Sequence, residues 1–202
     1  MIESRAARHF DFVLLLLATV LVAYGAILIY SASLSAYPDG VTLGHPVVKQ
    51  IIFAVLGLGI CLAIASVDYR MWGQMALPLY VLALLMLVAV LVVGESAYGS
   101  TRWFSFAGQQ IQASEIAKIL VIVSMARFLA DRQGQLQDIR IFLASLAMAG
   151  VPAGLVMVEP DMGTAMVFGA TWVGMVIIAG VPLRYVMVLV GLAVSLIPFA
   201  TL

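Results

Sequence analysis

Charge is scarce in this sequence. Its 202 residues include ten Lys and Arg, ten Asp and Glu and two His, so charged residues make up 10% and the net charge is zero. An ordinary soluble domain carries about 25% charged residues. With 64% hydrophobic residues and a mean hydropathy of +1.16, the chain has lipid as its solvent. Zero net charge directs no field at a polyanion, so no nucleic-acid partner is expected. The one cysteine, Cys61, lies in an apolar run and excludes an internal disulfide. His9 and His45 stand apart, and no His/Cys set has metal-ligand spacing. No zinc or iron site is therefore expected, no cofactor is evident, and a divalent cation has no support in the residues. The alternation of a membrane strand is also missing, which sets a barrel aside.

What remains is a succession of long apolar runs. A spanning helix needs about 20 mostly apolar residues, and seven stretches reach or approach this: 12–32, 47–67, 74–93, 114–130, 140–158, 163–181 and 184–202. Helices satisfy their own backbone groups in lipid, so the expected fold is all-α, a polytopic transmembrane helical bundle forming one integral membrane domain over 1–202. The first run follows Arg5 and Arg8 and ends in SASLSA, which has the look of a signal-peptidase site. Its apolar core is longer than the 7–15 residues of a signal peptide, and it reads as a retained span. The chain stops within an apolar run, SLIPFATL, and is expected to be either the front part of a longer protein or a truncated gene product.

Lys and Arg in short loops set orientation. With the N-terminus cytoplasmic, Arg5, Arg8, Arg70, Arg127, Arg132, Arg140 and Arg184 fall inside, Lys49 and Arg102 fall outside, and Lys118 sits within a span. The connections 33–46, 94–113 and 159–162 then face outward. Gly150 and Gly154 form a small-xxx-small pair around Pro152, read as a packing feature of the fifth span.

Three outward clusters bear on chemistry. In GSTRWF (Gly99–Phe104), Arg102 offers a planar fork for phosphate and Trp103 an interfacial ring; the plainer account is a membrane anchor. In QASEIAK (Gln112–Lys118), Ser114 suits an N-cap, and Glu115 and Lys118, three apart, share a helix face and can pair. Glu115 there complements the helix dipole while Lys118 snorkels outward, yet an ionisable residue within a span is by default a functional candidate. In VEPDMGTA (Val158–Ala165), Pro160 breaks one span and Asp161 caps the next, accepting from Gly163 or Thr164. Capping does not account for Glu159. The reading is that Arg102, Lys118, Glu115 and Asp161 line one outward polar cavity, with Glu115 and Asp161 as partners for Lys118.

These stretches, with IYSAS (Ile29–Ser33) and QASEIAKILVIVSMARFLADR (Gln112–Arg132), make the sequence similar to the SEDS family of bacterial membrane proteins, RodA, FtsW and their sporulation relative. The family patterns are YSAS, G-x-x-RW, Q-P-SE-x-x-K with a following ARF, and QPDLGT. Here Ala113 replaces the usual Pro, Glu159 replaces Gln and Met162 replaces Leu. The resemblance covers nearly all of this chain, but about seven of a usual ten spans.

The resemblance implies a peptidoglycan glycosyltransferase that polymerises lipid II outside the bacterial cytoplasmic membrane with a class B penicillin-binding transpeptidase, in elongation or division. It matches Arg102, Glu115, Lys118 and Asp161 to polar residues of the family's central outward cavity, where they would bind substrate, with Trp103 read as lying against sugar or lipid. It puts the catalytic aspartate in a later outer loop with a motif like HTDF, which this sequence does not contain. No catalytic residue is thus identified, and Asp161 is the one local carboxylate considered as a stand-in. Two other readings stand beside this: a lipid II transporter, and a non-catalytic membrane fragment that binds partner helices.

Overall fold

The structure, a computed structural model, describes residues 11–37, 40–42, 44–97, 100–106 and 109–200. Each expected apolar run is a helix, and the chain divides into two compact units, residues 1–69 and 70–202.

The first unit is a helical hairpin of α1 (Phe12–Ser33) and α2 (Pro46–Ser66). Asp11 starts α1 by accepting from the amides of Val13 and Leu14, each at 3.0 Å. Pro46 opens α2 at a position where its missing N–H costs nothing. Both helices expose apolar side chains along their length, Leu14, Leu21 and Ile60 among them, as lipid-facing spans do. The connection is anchored by His45, only 1% exposed. Its Nδ1 accepts from the Val47 amide at 3.2 Å, its Nε2 lies 3.3 Å from Ser33 Oγ, and the rings of Tyr30 and Tyr37 pack against it. Because Nδ1 accepts, the neutral ring carries its proton on Nε2 and donates to Ser33. The IYSAS stretch is therefore the wall of a histidine pocket.

The second unit begins with the short helix α3 (Tyr69–Gln74) and continues with α4 (Ala76–Val93), α5 (Ala113–Ala130), a 3₁₀ turn (Gln133–Gln135), α6 (Ile139–Val158), α7 (Met162–Ala179) and α8 (Leu183–Ala200). The third expected run, 74–93, loses its first two residues to α3 and the break at Met75. Five helices, α1, α2, α4, α6 and α7, are long and apolar enough to cross a membrane; α5 carries Glu115, Lys118 and Arg127.

In this unit α4 packs chiefly on α5, and α6 on α7. Ala83, Leu87, Ala117, Val121, Met125, Phe168, Trp172 and Val176 form the core. Ala83 and Ala117 are fully buried, and such small side chains let helix backbones approach. Polar links reinforce the packing. Ser124 Oγ lies 2.7 Å from both the Ala76 and the Leu120 carbonyls. Trp172 Nε1 donates to Ser145 Oγ at 3.1 Å, which in turn donates to the Phe142 carbonyl at 2.7 Å.

Gly150 and Gly154 do not serve as expected. A Cβ built on either meets no described atom within 4 Å, so their face of α6 is open and the close approach lies at the alanines. Gly180 does need to be glycine: at φ +92° it ends α7 in the left-handed conformation, and its amide bonds back to the Ile177 carbonyl at 3.1 Å.

The connection 94–113 departs from a plain polar loop. It holds an antiparallel three-stranded sheet, β1 (Glu95–Ala97), β2 (Ser100–Phe106) and β3 (Gln109–Gln112), in the order β1-β2-β3. Trp103 pairs with Gln112 and Phe104 with Ile111; a bulge separates Glu95 from Ser96. The run STRWFSF is rich in aromatic and hydroxyl residues that suit a pleated surface.

Candidate functional site

Four helix ends and the sheet come together at one end of the second unit: α4 runs into β1, β3 runs into α5, and α6 turns into α7. The sequence clusters converge here because each lies at one of these junctions.

The strand-to-helix junction comes first. Gln112 is the last extended residue before α5, and its backbone, without a side-chain cap, begins the helix. The expected cap, Ser114, lies inside the first turn instead, fully buried, and its Oγ has no hydrogen-bond partner among the described residues. The strand starts the helix two residues earlier than a Ser114 cap requires. The Gln112 side chain is turned to another purpose.

That purpose is Asp161. As expected, Asp161 caps α7: its Oδ1 accepts from the Thr164 amide at 3.0 Å and its Oδ2 from the Thr164 hydroxyl at 2.9 Å. Oδ2 also accepts from Gln112 Nε2 at 3.0 Å. The carboxylate, 9% exposed, sits at the positive end of the α7 dipole. One carboxylate thus fastens the sheet and α5 to the α6–α7 turn. Nothing in the sequence beyond the amide's place at the start of QASEIAK pointed to Gln112.

Glu159 is fully buried as the C-cap residue of α6, which answers why a carboxylate stands there only in part: it is interior, not a solvated turn residue. Lys118 bonds Glu115 Oε1 at 2.8 Å, with side chains 21% and 57% exposed respectively, so Glu115 lies at the rim and Lys118 deeper. Both expected carboxylates are at this end, but the carboxylate bonded to Lys118 is Glu115, while Asp161 is engaged by Gln112 and Thr164. The small depression touching Lys118 is otherwise lined mainly by apolar side chains, including Val121, Met125, Phe168 and Trp172, and contains neither Glu115 nor Asp161. Trp103 is half-buried beside Gln112 in the sheet. Arg102 belongs to β2; its side chain lies outside the described residues. Among those residues, no three His, Cys, Asp or Glu side chains gather as metal ligands.

The opposite end of the unit is basic. Arg127 pairs with Asp131 at 2.9 Å near the end of α5; Arg132 follows in the connection after it, and Arg140 and Arg184 stand in the first turns of α6 and α8.

A family model described as cell cycle protein, spanning FtsW, RodA and SpoVE, matches residues 11–202. The chain is 33% identical over 200 residues to the probable peptidoglycan glycosyltransferase FtsW of Aeromonas salmonicida (strain A449), covering 96% of this chain and 50% of that protein. It is 35% identical over 173 residues to the same-named protein of Halorhodospira halophila (strain DSM 244 / SL1), covering 83% and 43%. Among solved structures it resembles a chain of a peptidoglycan synthase complex that coordinates polymerization and crosslinking, with TM-score 0.76 and 29% identity over 95% of this chain and 54% of that one. It also resembles the rod shape determining protein RodA of Thermus thermophilus, with TM-score 0.70 and 28% identity over 92% and 59%. The chain spans about half the length of the curated relatives it matches.

Proposed function

Since the chain belongs to the FtsW/RodA/SpoVE family of cell cycle proteins, a multi-pass membrane family, we propose that it forms the N-terminal part of a peptidoglycan glycosyltransferase. On this reading the full protein polymerises lipid II at the outer face of the bacterial cytoplasmic membrane, together with a class B penicillin-binding transpeptidase. The observation that carries the reading is the junction of Gln112, Asp161 and Thr164 beside the Lys118–Glu115 pair. It sets polar groups under a sheet at one end of an apolar bundle, where the phosphorylated head of a lipid would arrive.

The chemistry divides by residue. Glycosyl transfer needs a base for the acceptor hydroxyl and cations for the departing pyrophosphate. Lys118 supplies a positive charge held by Glu115, and Arg102 a planar fork from β2, with Trp103 against sugar or lipid. Asp161 spends both oxygens on Gln112 and Thr164 and acts as an anchor that positions the α5 and α7 ends, not as the base. The base belongs to a part of the family fold with no counterpart motif in this sequence. Orientation follows from seven of ten basic residues falling on the N-terminal side of the membrane, which turns the sheet outward. The partner is supported by the likeness to a chain of a synthase complex.

The test is polymerisation of lipid II by the purified full-length gene product with its transpeptidase, alongside this chain alone. Glycan from the full product, lost on Lys118→Gln, supports the reading. Flipping of lipid II across vesicles without glycan would replace it by a transporter.

A further inference from the structure

Three arginines at the basic end of the second unit have no carboxylate partner among the described residues: Arg132, Arg140 and Arg184. The nearby acids are engaged elsewhere, Asp131 with Arg127 at 2.9 Å and Asp138 as the cap of α6, accepting from the Arg140 amide at 2.8 Å. The arginines are nonetheless held in place. The Arg132 guanidinium lies 3.9 Å from the centre of the Phe128 ring and donates to the Phe128 carbonyl at 3.2 Å. That of Arg184 lies 5.0 Å from the centre of the Tyr185 ring and donates to the Tyr185 hydroxyl at 3.3 Å. The same hydroxyl donates to the Gln137 carbonyl at 2.8 Å. This bond brings the start of α8 onto the α5–α6 connection, next to Arg140.

We propose that this corner is a seat for the phosphate of an anionic phospholipid. Arg140 and Arg184 are each the second residue of a long apolar helix, which sets them at headgroup depth, and both are exposed. Beside them the helices expose apolar side chains, Ile139 and Leu183 just before and Leu143 and Met187 one turn further in, between 44% and 66%. A ligand matched to this corner has a negative head and hydrocarbon chains in one molecule. Free phosphate fills only the head position, and an acidic peptide leaves the apolar flanks uncovered. Guanidinium forks bind phosphate bidentately, and basic clusters at helix ends hold anionic headgroups. The seat depends on depth and charge here, and not on the chemistry at the opposite end of the bundle.

The experiment uses the whole chain, purified and placed in nanodiscs of phosphatidylglycerol mixed with phosphatidylcholine, with retained lipids counted by native mass spectrometry. The wild-type chain should retain phosphatidylglycerol over phosphatidylcholine. Arg140→Gln and Arg184→Gln should each lower that retention about fivefold, whereas Lys49→Gln leaves it unchanged. Arg184→Lys keeps the charge but loses the fork and the stacking, and should lower retention at least twofold; helicity by circular dichroism confirms that each variant folds. Equal retention of the two lipids overturns the proposal, as does Arg184→Lys behaving as wild type, which marks a diffuse surface potential. Displacement of the lipid by millimolar inorganic phosphate also overturns it, in favour of a free-phosphate site.

Discussion

Gln112 and Asp161, 49 positions apart, are joined by a 3.0 Å hydrogen bond between an amide nitrogen and a carboxylate oxygen. It links the end of a strand to the beginning of a helix. Gln112→Ala removes a donor from a nearly buried carboxylate, a loss of about 1.5–3 kcal/mol for a bond to a charged group. Thermal unfolding of the purified chain should show it. Gln112→Glu, which sets a second carboxylate against Asp161, should be worse than Ala.

Lys118 and Glu115 form a pair whose acid is more than half exposed. Such a pair contributes under about 1 kcal/mol to stability, so Glu115→Gln and Lys118→Gln should unfold within a few degrees of wild type. In the full-length product, Lys118→Gln should cut lipid II polymerisation about a hundredfold, the scale of losing one charge-stabilising group. Glu115→Gln should cut it less. A Lys118→Gln protein that polymerises normally removes Lys118 from the proposed site.

In the core, Trp172→Phe keeps the ring contact with Phe142, whose centre lies 5.5 Å away, but loses the donor to Ser145. Interhelical hydrogen bonds of this kind are worth about 0.6 kcal/mol and up to about 1.7. A double-mutant cycle with Ser145→Ala should return a coupling in that range, and zero coupling would mean that the bond adds nothing.

His45 does two jobs in the hairpin of the first unit, capping α2 and donating to Ser33. Asn at this position restores a capping oxygen but not the reach to Ser33. His45→Asn should therefore be intermediate, and His45→Ala should lose about 1–2 kcal/mol more than capping alone, because Ser33 is left buried with less to bond. Hydrogen exchange at the Val47 amide, which His45 Nδ1 caps, separates the two effects: both variants lose the bond to Ser33, but only Ala exposes the cap.

Long apolar runs made the helices easy to place. The run 140–158 became Ile139–Val158, and 12–32 became Phe12–Ser33, because in lipid the chain has few other ways to satisfy its backbone. Errors cluster where a short local signal competes with a long average. Strands of three to seven residues vanish in a window of about 20, so the sheet leaves no mark in the hydropathy pattern. Ser114 looked like a cap by residue type, but the backbone had already turned at Gln112. His45 stood alone in sequence and is joined in space to Ser33, twelve residues earlier. The Asp161 cap was legible because it is local; its tether to Gln112 was not, since no periodicity encodes a contact across 49 residues.

β3 passes into α5 without an intervening turn, so Gln112 is at once the last rung of a ladder against Trp103 and the strut that bears on Asp161. A force on the three-stranded sheet would load that strut directly and reach the turn between α6 and α7 through the Asp161 carboxylate.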